Sequence, residues 1–413
     1  MWMFIRPLYV TELGGNPVQV GQVLGVMGLA PLLVMLPVGR LADRFGPRVL
    51  MLIGWWLGAV ATVFLALAPD WRWLIPGFFF YYLSGFAIPA INAYVALDVT
   101  ATDSASSRSM QEVIARVYAA YFAGTIVSPV IGGWLGEHFG LRTVFWVSAV
   151  WFAVSTLVVH GVPRLERVRP ASPSGELLPA GSPLATGRPV PWWRFTAAQW
   201  RVFGMLLVLF FFLALGYALV PSYLEDVRGL PVSVIGGLGA PMAAGGTFWL
   251  LVLGRLRSRL ALVTATGLVM LALAGLLYGP DDLLVLILVY FLLGAYLTVR
   301  TLSLDIVSAR TPPELRGTSF GLLETLFGIG AFLGPLVAGV LYAGSPRAPF
   351  LVGLMALLTL LGVSWVVLAP VRRAGAPGQQ PAAPVSTSVP EPDVRVQPAA
   401  PQTRPGIDSR LCK

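Results

Sequence analysis

Five charged residues stand inside or at the edges of long apolar runs, and they are the first candidates for chemistry in this chain. They are Glu112, Arg116, Arg300, Asp305 and Glu324. A charge taken into lipid is energetically costly, so it is retained as an ion pair between helices or as a group that binds substrate or protons. The sequence leaves both interpretations open. It favours Glu324 as a proton carrier, because this residue lies deepest in its run and Arg300 could be its neighbour.

Hydroxyl and amide side chains within the runs supply a second set of candidates. Tyr81, Asn92, Tyr217 and Tyr290 lie at positions that could face a central cavity. Aromatic rings with few charges suit an amphiphilic or apolar ligand. The alternative is a role at the membrane interface, where tyrosine is common.

Other reactive groups are scarce. The only cysteine is Cys412, and both histidines lie at the ends of apolar runs, so we expect no metal site and no cofactor other than a proton as coupling ion. The sequence has no nucleophile-base-acid set and no phosphate-binding glycine loop after a strand, so we expect no enzyme. The net charge of +9 comes almost entirely from arginines in short loops. This distribution argues against a nucleic-acid partner, which would require the arginines on one folded face.

The composition explains this scarcity. Of 413 residues, 56% are hydrophobic and 11% are charged. Soluble domains carry about 25% charged residues, and their cores cannot bury so much apolar surface. The chain is therefore predicted to have lipid as its solvent.

Eleven apolar runs are long enough to cross about 30 Å of hydrocarbon as helices of about 20 residues. The first series lies at approximately 20–38, 49–68, 74–96, 112–135 and 143–160. The second series lies at 202–224, 233–253, 260–279, 283–304, 317–342 and 349–369. Residues 1–10 are apolar apart from Arg6 but too short to cross, and we expect them to be the last third of a helix. The predicted fold class is an all-α polytopic membrane protein.

An internal repeat relates the two series. PLYVTELGGNPVQVGQVLG from Pro7 matches PSYLEDVRGLPVSVIGGLG from Pro221 at an offset of 214. Later matches pair Gly124, Pro129 and Gly133 with Gly330, Pro335 and Gly339. This duplication predicts two six-helix halves with pseudo-twofold symmetry on a twelve-helix plan. Only six residues precede Pro7, so we expect a first helix truncated by about 14 residues, leaving eleven full spans and a stub.

The stretches between and after the runs set the domain boundaries. We predict an N-terminal bundle at 1–160, a linker at 161–201, a C-terminal bundle at 202–370 and a disordered tail at 371–413. Arginine is concentrated in alternate loops, which the positive-inside rule assigns to the cytoplasm together with the linker and the tail. We expect a multi-pass monomer in the plasma (inner) membrane, with the lipid bilayer and a small-molecule substrate as its partners.

The loop from Gly39 to Arg48, with the sequence GRLADRFGPR, resembles the signature loop of the major facilitator superfamily, from which Pro47 departs. The resemblance implies a gating role for Gly39, Asp43, Arg44, Gly46 and Arg48. In the family this loop is thought to latch the two halves in the outward-facing state, with Asp43 as the latch. The alternative is a basic loop that only sets the topology.

Small residues in the fifth helix resemble the motif g-x-x-x-G-P-x-x-G-G of drug and proton antiporters. They are Gly124, Ser128, Pro129, Gly132 and Gly133, with Ser128 in place of a glycine. Small residues and a proline allow close packing and a bend, so generic helix packing is the alternative to an antiporter hinge. The fourth-helix arginine of such exporters is missing from FFFYYLSGFAIPAINAYVALD. This departure puts the usual kind of proton coupling in question.

The resemblance implies a secondary active transporter that moves a small solute by alternating access. Within that class, efflux of an amphiphilic compound is favoured, with a proton as a candidate coupling ion. Two alternatives stay open. One is a sugar or organic-anion importer of the same fold, and the other is a membrane scaffold or sensor that does not transport.

Overall fold

The structure is a computed structural model. It describes residues 1–88, 90–91, 94–95, 110–163, 195–312 and 315–368, apart from the side chains of 34–44, 110–115 and 118. The described residues belong to one compact unit. Most of the predicted linker and all of the predicted tail lie outside the described residues, so those two assignments stay predictions.

Helices account for the regular structure of the described residues. Those of the N-terminal half are α1 (Arg6–Glu12), α2 (Pro17–Phe45), α3 (Pro47–Ala66), α4 (Trp71–Leu83), α5 (Met110–Phe139) and α6 (Leu141–His160). Those of the C-terminal half are α7 (Ala197–Ala218), α8 (Val220–Asp226), α9 (Val232–Gly237), α10 (Gly239–Leu253), α11 (Ser258–Tyr278), α12 (Leu283–Leu293), α13 (Ala295–Arg310), α14 (Arg316–Gly344) and α15 (Ala348–Val367). Short 3-10 turns at Trp2–Phe4 and Ser84–Phe86 accompany them.

Nine helical stretches of the described chain are long and apolar enough to cross a membrane. Three of them join consecutive helices, namely α7 with α8, α9 with α10, and α12 with α13. The run expected at 20–38 lies in α2, whose apolar part is the shorter stretch Pro17–Leu33. The run expected at 74–96 begins in α4 and continues into residues that are not all described. These elements agree with the predicted all-α class.

Aspartates cap the starts of two helices at similar places in the two halves. The sequence comparison did not pair these residues. Asp70 accepts a hydrogen bond from the backbone N–H of Arg72 at 2.8 Å at the start of α4. Asp282 accepts one from Leu284, also at 2.8 Å, at the start of α12. Each carboxylate satisfies a backbone donor that the first helical turn leaves without a partner.

The core also follows the repeat. Tyr9 and Tyr223, which the sequence comparison pairs, are 0% and 1% exposed. The ring of Tyr9 stacks on Phe145 of α6 with centroids 4.3 Å apart, and that of Tyr223 meets Phe350 of α15 edge-on at 5.0 Å. Equivalent tyrosines thus pack α1 against α6 and α8 against α15.

Glycines bring the two halves into contact at two related places. A Cβ on Gly339 of α14 would lie 3.1 Å from Cα of Gly21 in α2. A Cβ on Gly133 of α5 would lie 3.0 Å from Cα of Gly236 in α9. Such close approach requires residues without side chains. Both contacts lie near the helix ends that are remote from the arginine-rich loops, and we call this the glycine end of the bundle.

Candidate functional site

Arg300 and Glu324 form an ion pair between α13 and α14. Arg300 Nε donates to Glu324 Oε1 at 3.1 Å, and Nη2 donates to Oε2 at 2.5 Å. Two parallel hydrogen bonds of this kind fix the orientation of both groups. The side chains are 43% and 26% exposed, so the pair borders open space and is not sealed in the core.

Aromatic rings surround this pair. The guanidinium carbon of Arg300 lies 5.1 Å from the ring centroid of Phe327, and Phe327 meets Phe210 edge-on at 5.3 Å. A small pocket opens here, lined by Phe210, Leu213, Ala214, Tyr296, Val299, Arg300, Phe327 and Ala331. A mainly apolar wall with one cation suits a ligand that combines an apolar body with a polar group.

Tyr217 and Tyr296 continue the wall toward the N-terminal half. Their rings stack with centroids 4.7 Å apart and an angle of 25° between the planes. Tyr296 shares its pocket with Ala331 of α14, and a Cβ on Gly28 of α2 would lie 2.9 Å from Cβ of Ala331. The tyrosine pair therefore lies near the contact between the two halves.

Arg6 provides the cation on the N-terminal side. Its Nε donates to the carbonyl oxygen of Met3 at 2.7 Å. Its Nη1 donates to the hydroxyl of Tyr82 and to the sulfur of Met27, the latter at 2.9 Å. The guanidinium carbon lies 5.9 Å from the ring centroids of both Trp2 and Tyr82. We call Arg6, Tyr82, Tyr217, Tyr296, Arg300 and Glu324 the central cluster.

The residues expected to line a cavity differ in their position relative to the central cluster. Tyr217 belongs to the central cluster, and Tyr81 lies beside it, with its ring 4.7 Å from Trp2 and 5.6 Å from Tyr82. Tyr290 is 1% exposed and packs in the core of the C-terminal half. Asn92 lies outside the described residues.

The other three charged candidates are Asp305, Arg116 and Glu112. Asp305 is exposed and accepts a hydrogen bond from the hydroxyl of Ser258 at the start of α11. Arg116 is exposed on α5. The side chain of Glu112 lies outside the described part of the chain. Among the described side chains, the structure brings Arg300 and Glu324 together.

The signature loop forms the junction of α2 and α3. Gly46 links these helices with φ of +83°, a conformation that L side chains rarely adopt. Arg48 follows and donates to the carbonyl oxygens of Val162 at 2.7 Å and His160 at 3.1 Å. It thereby ties the loop to the end of α6. Gly39, Asp43 and Arg44 fall in α2, and their surroundings are outside the description.

The C-terminal half has a counterpart of Arg48. Arg259, in the first turn of α11, donates to the carbonyl oxygen of Trp365 near the end of α15. Its guanidinium carbon lies 3.8 Å from the Trp365 ring centroid. In each half, therefore, an arginine at a helix start holds the end of the last helix. Cationic groups are favourable there because the last carbonyls of a helix lack partners.

The fifth-helix motif divides into a packed part and an open part. Pro129 is buried, Gly133 meets α9, and a Cβ on Gly132 would lie 2.4 Å from the carbonyl oxygen of Met1. Ser128 is half-buried, and no described atom lies within 4 Å of a Cβ placed on Gly124. One turn beyond Gly133, Glu137 accepts a hydrogen bond from the backbone N–H of Ser233 at 2.8 Å. The packed part is thus an interface between the halves.

Arg6 was not among the residues expected at the site. The available signal was a single charge in an apolar segment that the repeat aligns with the interior of a membrane helix. Among the described residues, no group of three or more His, Cys, Asp or Glu side chains is placed to bind a metal ion.

Similarity to known proteins extends over most of the chain. The sequence model of the Major Facilitator Superfamily matches residues 1–300 and 263–402. A triacylglyceride transporter of Mycolicibacterium smegmatis is 30% identical over 148 residues, which are 35% of this chain and 24% of the relative. The multidrug resistance protein MdtG of Dickeya zeae is 33% identical over 141 residues, 34% of this chain and 32% of the relative. The multi-drug resistance efflux pump PmrA of Streptococcus pneumoniae is 32% identical over 146 residues, 34% of each chain.

The matched segments span only 24% to 34% of the length of these relatives. Solved structures match over more of the chain. The nucleoside transporter NupG superposes with a TM-score of 0.65 at 16% identity, covering 89% of this chain and 93% of its own. A bacterial homologue of the human lysosomal transporter Spinster, inward-facing and unoccupied, gives 0.66 at 16% identity, with 89% and 92% coverage. The predicted fold class and relation to drug exporters are confirmed, and the chain belongs to the Major Facilitator Superfamily.

Proposed function

We propose that this protein is a secondary active transporter that exports a small amphiphilic compound by alternating access, with protons as the coupling ion. The observation that carries the proposal is the central cluster, in which the Arg300–Glu324 ion pair and the stacked Tyr217 and Tyr296 lie beside one apolar pocket. The proposed orientation places the arginine-rich loops, the linker and the C-terminus in the cytoplasm of a bacterial inner membrane.

Aromatic rings in the central cluster and in the adjoining pocket support an amphiphilic substrate. Four aromatic side chains present ring faces and edges, namely Phe210, Tyr217, Tyr296 and Phe327. Such rings bind the apolar parts of ligands with little dependence on the exact shape of the ligand. Relatives named as a multidrug resistance protein and an efflux pump fit the same chemistry. Export is the direction that these relatives favour.

The ion pair supports proton coupling. Glu324 and Arg300 neutralise each other while both are charged. When Glu324 binds a proton, Arg300 loses the carboxylate that balances its charge, and the free energies of the two transport states change. A proton and a substrate that compete for this pair would exchange across the membrane.

Alternating access requires the glycine end to open. The contacts of Gly21 with Gly339 and of Gly133 with Gly236 bring backbone atoms of the two halves together. Helices packed through small residues can separate and re-form without rotamer changes. The two halves can then rock about the central cluster.

Dye transport by the purified protein in proteoliposomes tests this function. Anionic, neutral and cationic amphiphilic dyes are compared with and without an imposed pH gradient. We expect the wild type to move at least one dye and the gradient to accelerate it. Glu324→Gln should abolish the response to the gradient. Asp305→Asn is the matched control, because Asp305 bonds Ser258 and lies apart from Arg300.

Each contrary result points to a different error. Flux that ignores the gradient in the wild type would remove proton coupling while keeping transport. Failure of all three dyes, together with uptake of a sugar or organic anion, would identify an importer. A folded protein that moves none of these compounds would be a scaffold or sensor.

A further inference from the structure

Arg6 differs from six other described arginines in the combination of partners that it has. Arg228 pairs with Asp281 at 2.7 Å, and Arg300 pairs with Glu324. Arg48, Arg142, Arg259 and Arg310 donate to backbone carbonyls at or near helix ends. Arg6 stands between α2 and α4, and its described partners are a carbonyl oxygen, a thioether and a phenol. No carboxylate of the described residues lies within 4 Å of it.

An uncompensated guanidinium at this depth is energetically unfavourable. Charged groups within membrane segments normally face a partner of opposite sign or a water-filled cavity. The thioether sulfur of Met27 is only a weak acceptor, and the neutral Tyr82 hydroxyl carries no opposite charge. The protein thus keeps a cation whose charge its described neighbours leave unbalanced.

Arg6 also has hydrogen-bond donors without an acceptor among the described residues. A guanidinium has five N–H groups in a planar fork. Nε and Nη1 make the bonds to Met3, Met27 and Tyr82, whereas Nη2 has no hydrogen bond among the described residues. An oxyanion placed beside this edge would accept charge-assisted hydrogen bonds, which are about twice as strong as neutral ones.

The surroundings place an apolar wall next to these donors. Trp2 and Tyr82 lie within 5.9 Å of the guanidinium carbon on the N-terminal side. On the C-terminal side, Tyr296 stacks on Tyr217 and lines a pocket with Ala331, which meets Gly28 of α2, the neighbour of Met27. A cation bordered by ring faces is complementary to a molecule with an anionic head and an aromatic or apolar body.

We infer that Arg6 binds the anionic head group of the transported amphiphile, while the tyrosine pair Tyr217 and Tyr296 holds its apolar body. This inference rests on the proposed function and specifies its substrate class. The head group is an oxyanion, either a carboxylate, a sulfonate or a phosphate monoester. The competing explanation is structural, with Arg6 only fastening the Trp2–Phe4 turn to α2 and α4.

Calorimetric binding to the purified protein separates these explanations. The probes are naphthalene-2-sulfonate and naphthalene-2-sulfonamide, which share a ring and differ in charge, and 2-naphthyl phosphate as a second oxyanion. The variants are Arg6→Gln, which removes the charge, and Arg6→Lys, which keeps it without the fork. Arg142→Gln is the matched control, since Arg142 bonds the carbonyl of Ala68 at 2.7 Å, away from the cluster.

We expect the wild type to bind the sulfonate about tenfold or more tightly than the sulfonamide. Arg6→Gln should remove this preference and leave sulfonamide binding unchanged. Arg6→Lys should keep part of it, and Arg142→Gln should keep all of it. Tighter binding of the phosphate than of the sulfonate would assign the site to phosphate monoesters.

Three results would overturn the inference. The wild type could bind both naphthalenes equally or not at all while still moving a dye, in which case the proposed function stands without this site. Arg6→Gln could weaken both probes equally and lower the unfolding midpoint, which is the structural outcome. If Arg6→Gln does not fold, the folded Arg6→Lys variant provides the test. Equal binding of the sulfonate and the sulfonamide by Arg6→Lys would also support the structural role. Wild-type protein that moves no dye would instead remove the proposed function itself.

Discussion

The two halves of this protein use the same small-residue pattern with different neighbours. In the C-terminal half, Gly330 of α14 packs on α7, where an added Cβ would lie 2.8 Å from the backbone nitrogen of Phe211. In the N-terminal half, the equivalent Gly124 of α5 has no described atom within 4 Å of such a Cβ. Tyr121, one turn earlier, is 61% exposed. Near the glycine end, by contrast, Gly133 and Gly339 make matching contacts.

The comparison shows which contacts the two halves share among the described residues. Contacts between the halves follow the twofold relation, whereas the described surroundings of Gly330 and Gly124 within each half differ. The charges have diverged too, because Val220, which the repeat pairs with Arg6, is 0% exposed and apolar, and the ion pair of Arg300 and Glu324 lies in the C-terminal half alone among the described residues. Such a division is expected if one half binds the substrate anion and the other responds to protons.

The largest effect is expected at the glycine end. Alanine at Gly133 or Gly339 places a Cβ against backbone atoms, 2.9 Å from the carbonyl oxygen of Ser233 or 2.6 Å from that of Pro17. Overpacking of this kind costs about 1–3 kcal/mol. Because the strain exists only while the halves touch there, both variants should shift the equilibrium toward opening of that end by roughly 5- to 150-fold.

Pulsed electron paramagnetic resonance can measure this shift. Spin labels on Glu12→Cys and Ser345→Cys, two exposed positions at that end, are introduced after Cys412→Ser removes the native thiol. Gly267→Ala is the control, since no described atom lies within 4 Å of its Cβ. Unchanged distances in both glycine variants would mean that the two contacts do not govern closure.

A smaller effect should separate Gly330 from Gly124. Gly330→Ala meets both Phe210 and Phe211 and should lower the free energy of unfolding by about 1–3 kcal/mol. Gly124→Ala meets no described atom and should be neutral or stabilising by up to about 1 kcal/mol, because alanine favours helix. Thermal unfolding in detergent compares the two variants. Equal losses in the free energy of unfolding would contradict the difference in surroundings between Gly330 and Gly124.

The smallest effect concerns the paired tyrosines. Tyr9 donates from its hydroxyl to the carbonyl oxygen of Leu65 at 3.0 Å, whereas the Tyr223 hydroxyl has no hydrogen bond among the described atoms. Tyr9→Phe should lower the free energy of unfolding by about 0.5–1.5 kcal/mol, and Tyr223→Phe should change it little. The same thermal unfolding measurement applies. A larger loss for Tyr223→Phe would show that the pairing of the two halves is wrong here.

Much of the fold was predictable from the sequence. The runs expected at 143–160 and 349–369 correspond to α6 at Leu141–His160 and α15 at Ala348–Val367, because lipid demands apolar segments of about 20 residues. The repeat correctly paired Tyr9 with Tyr223 and Gly133 with Gly339. The residues of the candidate site were harder to predict from the sequence, since Tyr290 packs in the core and Asp305 accepts a hydrogen bond from Ser258. Hydropathy identifies a span but not which way each side chain faces.

The sequence by itself determined that this chain spans a membrane, that it is built from two similar halves, and which side chains inside the spans are charged. The tertiary structure alone decided which of those charges meet. Arg300 and Glu324 are 24 positions apart, and Arg6 and Tyr82 are 76 apart, yet each pair is in contact. Helix rotation and packing set such contacts, and both depend on how all the apolar faces fit together.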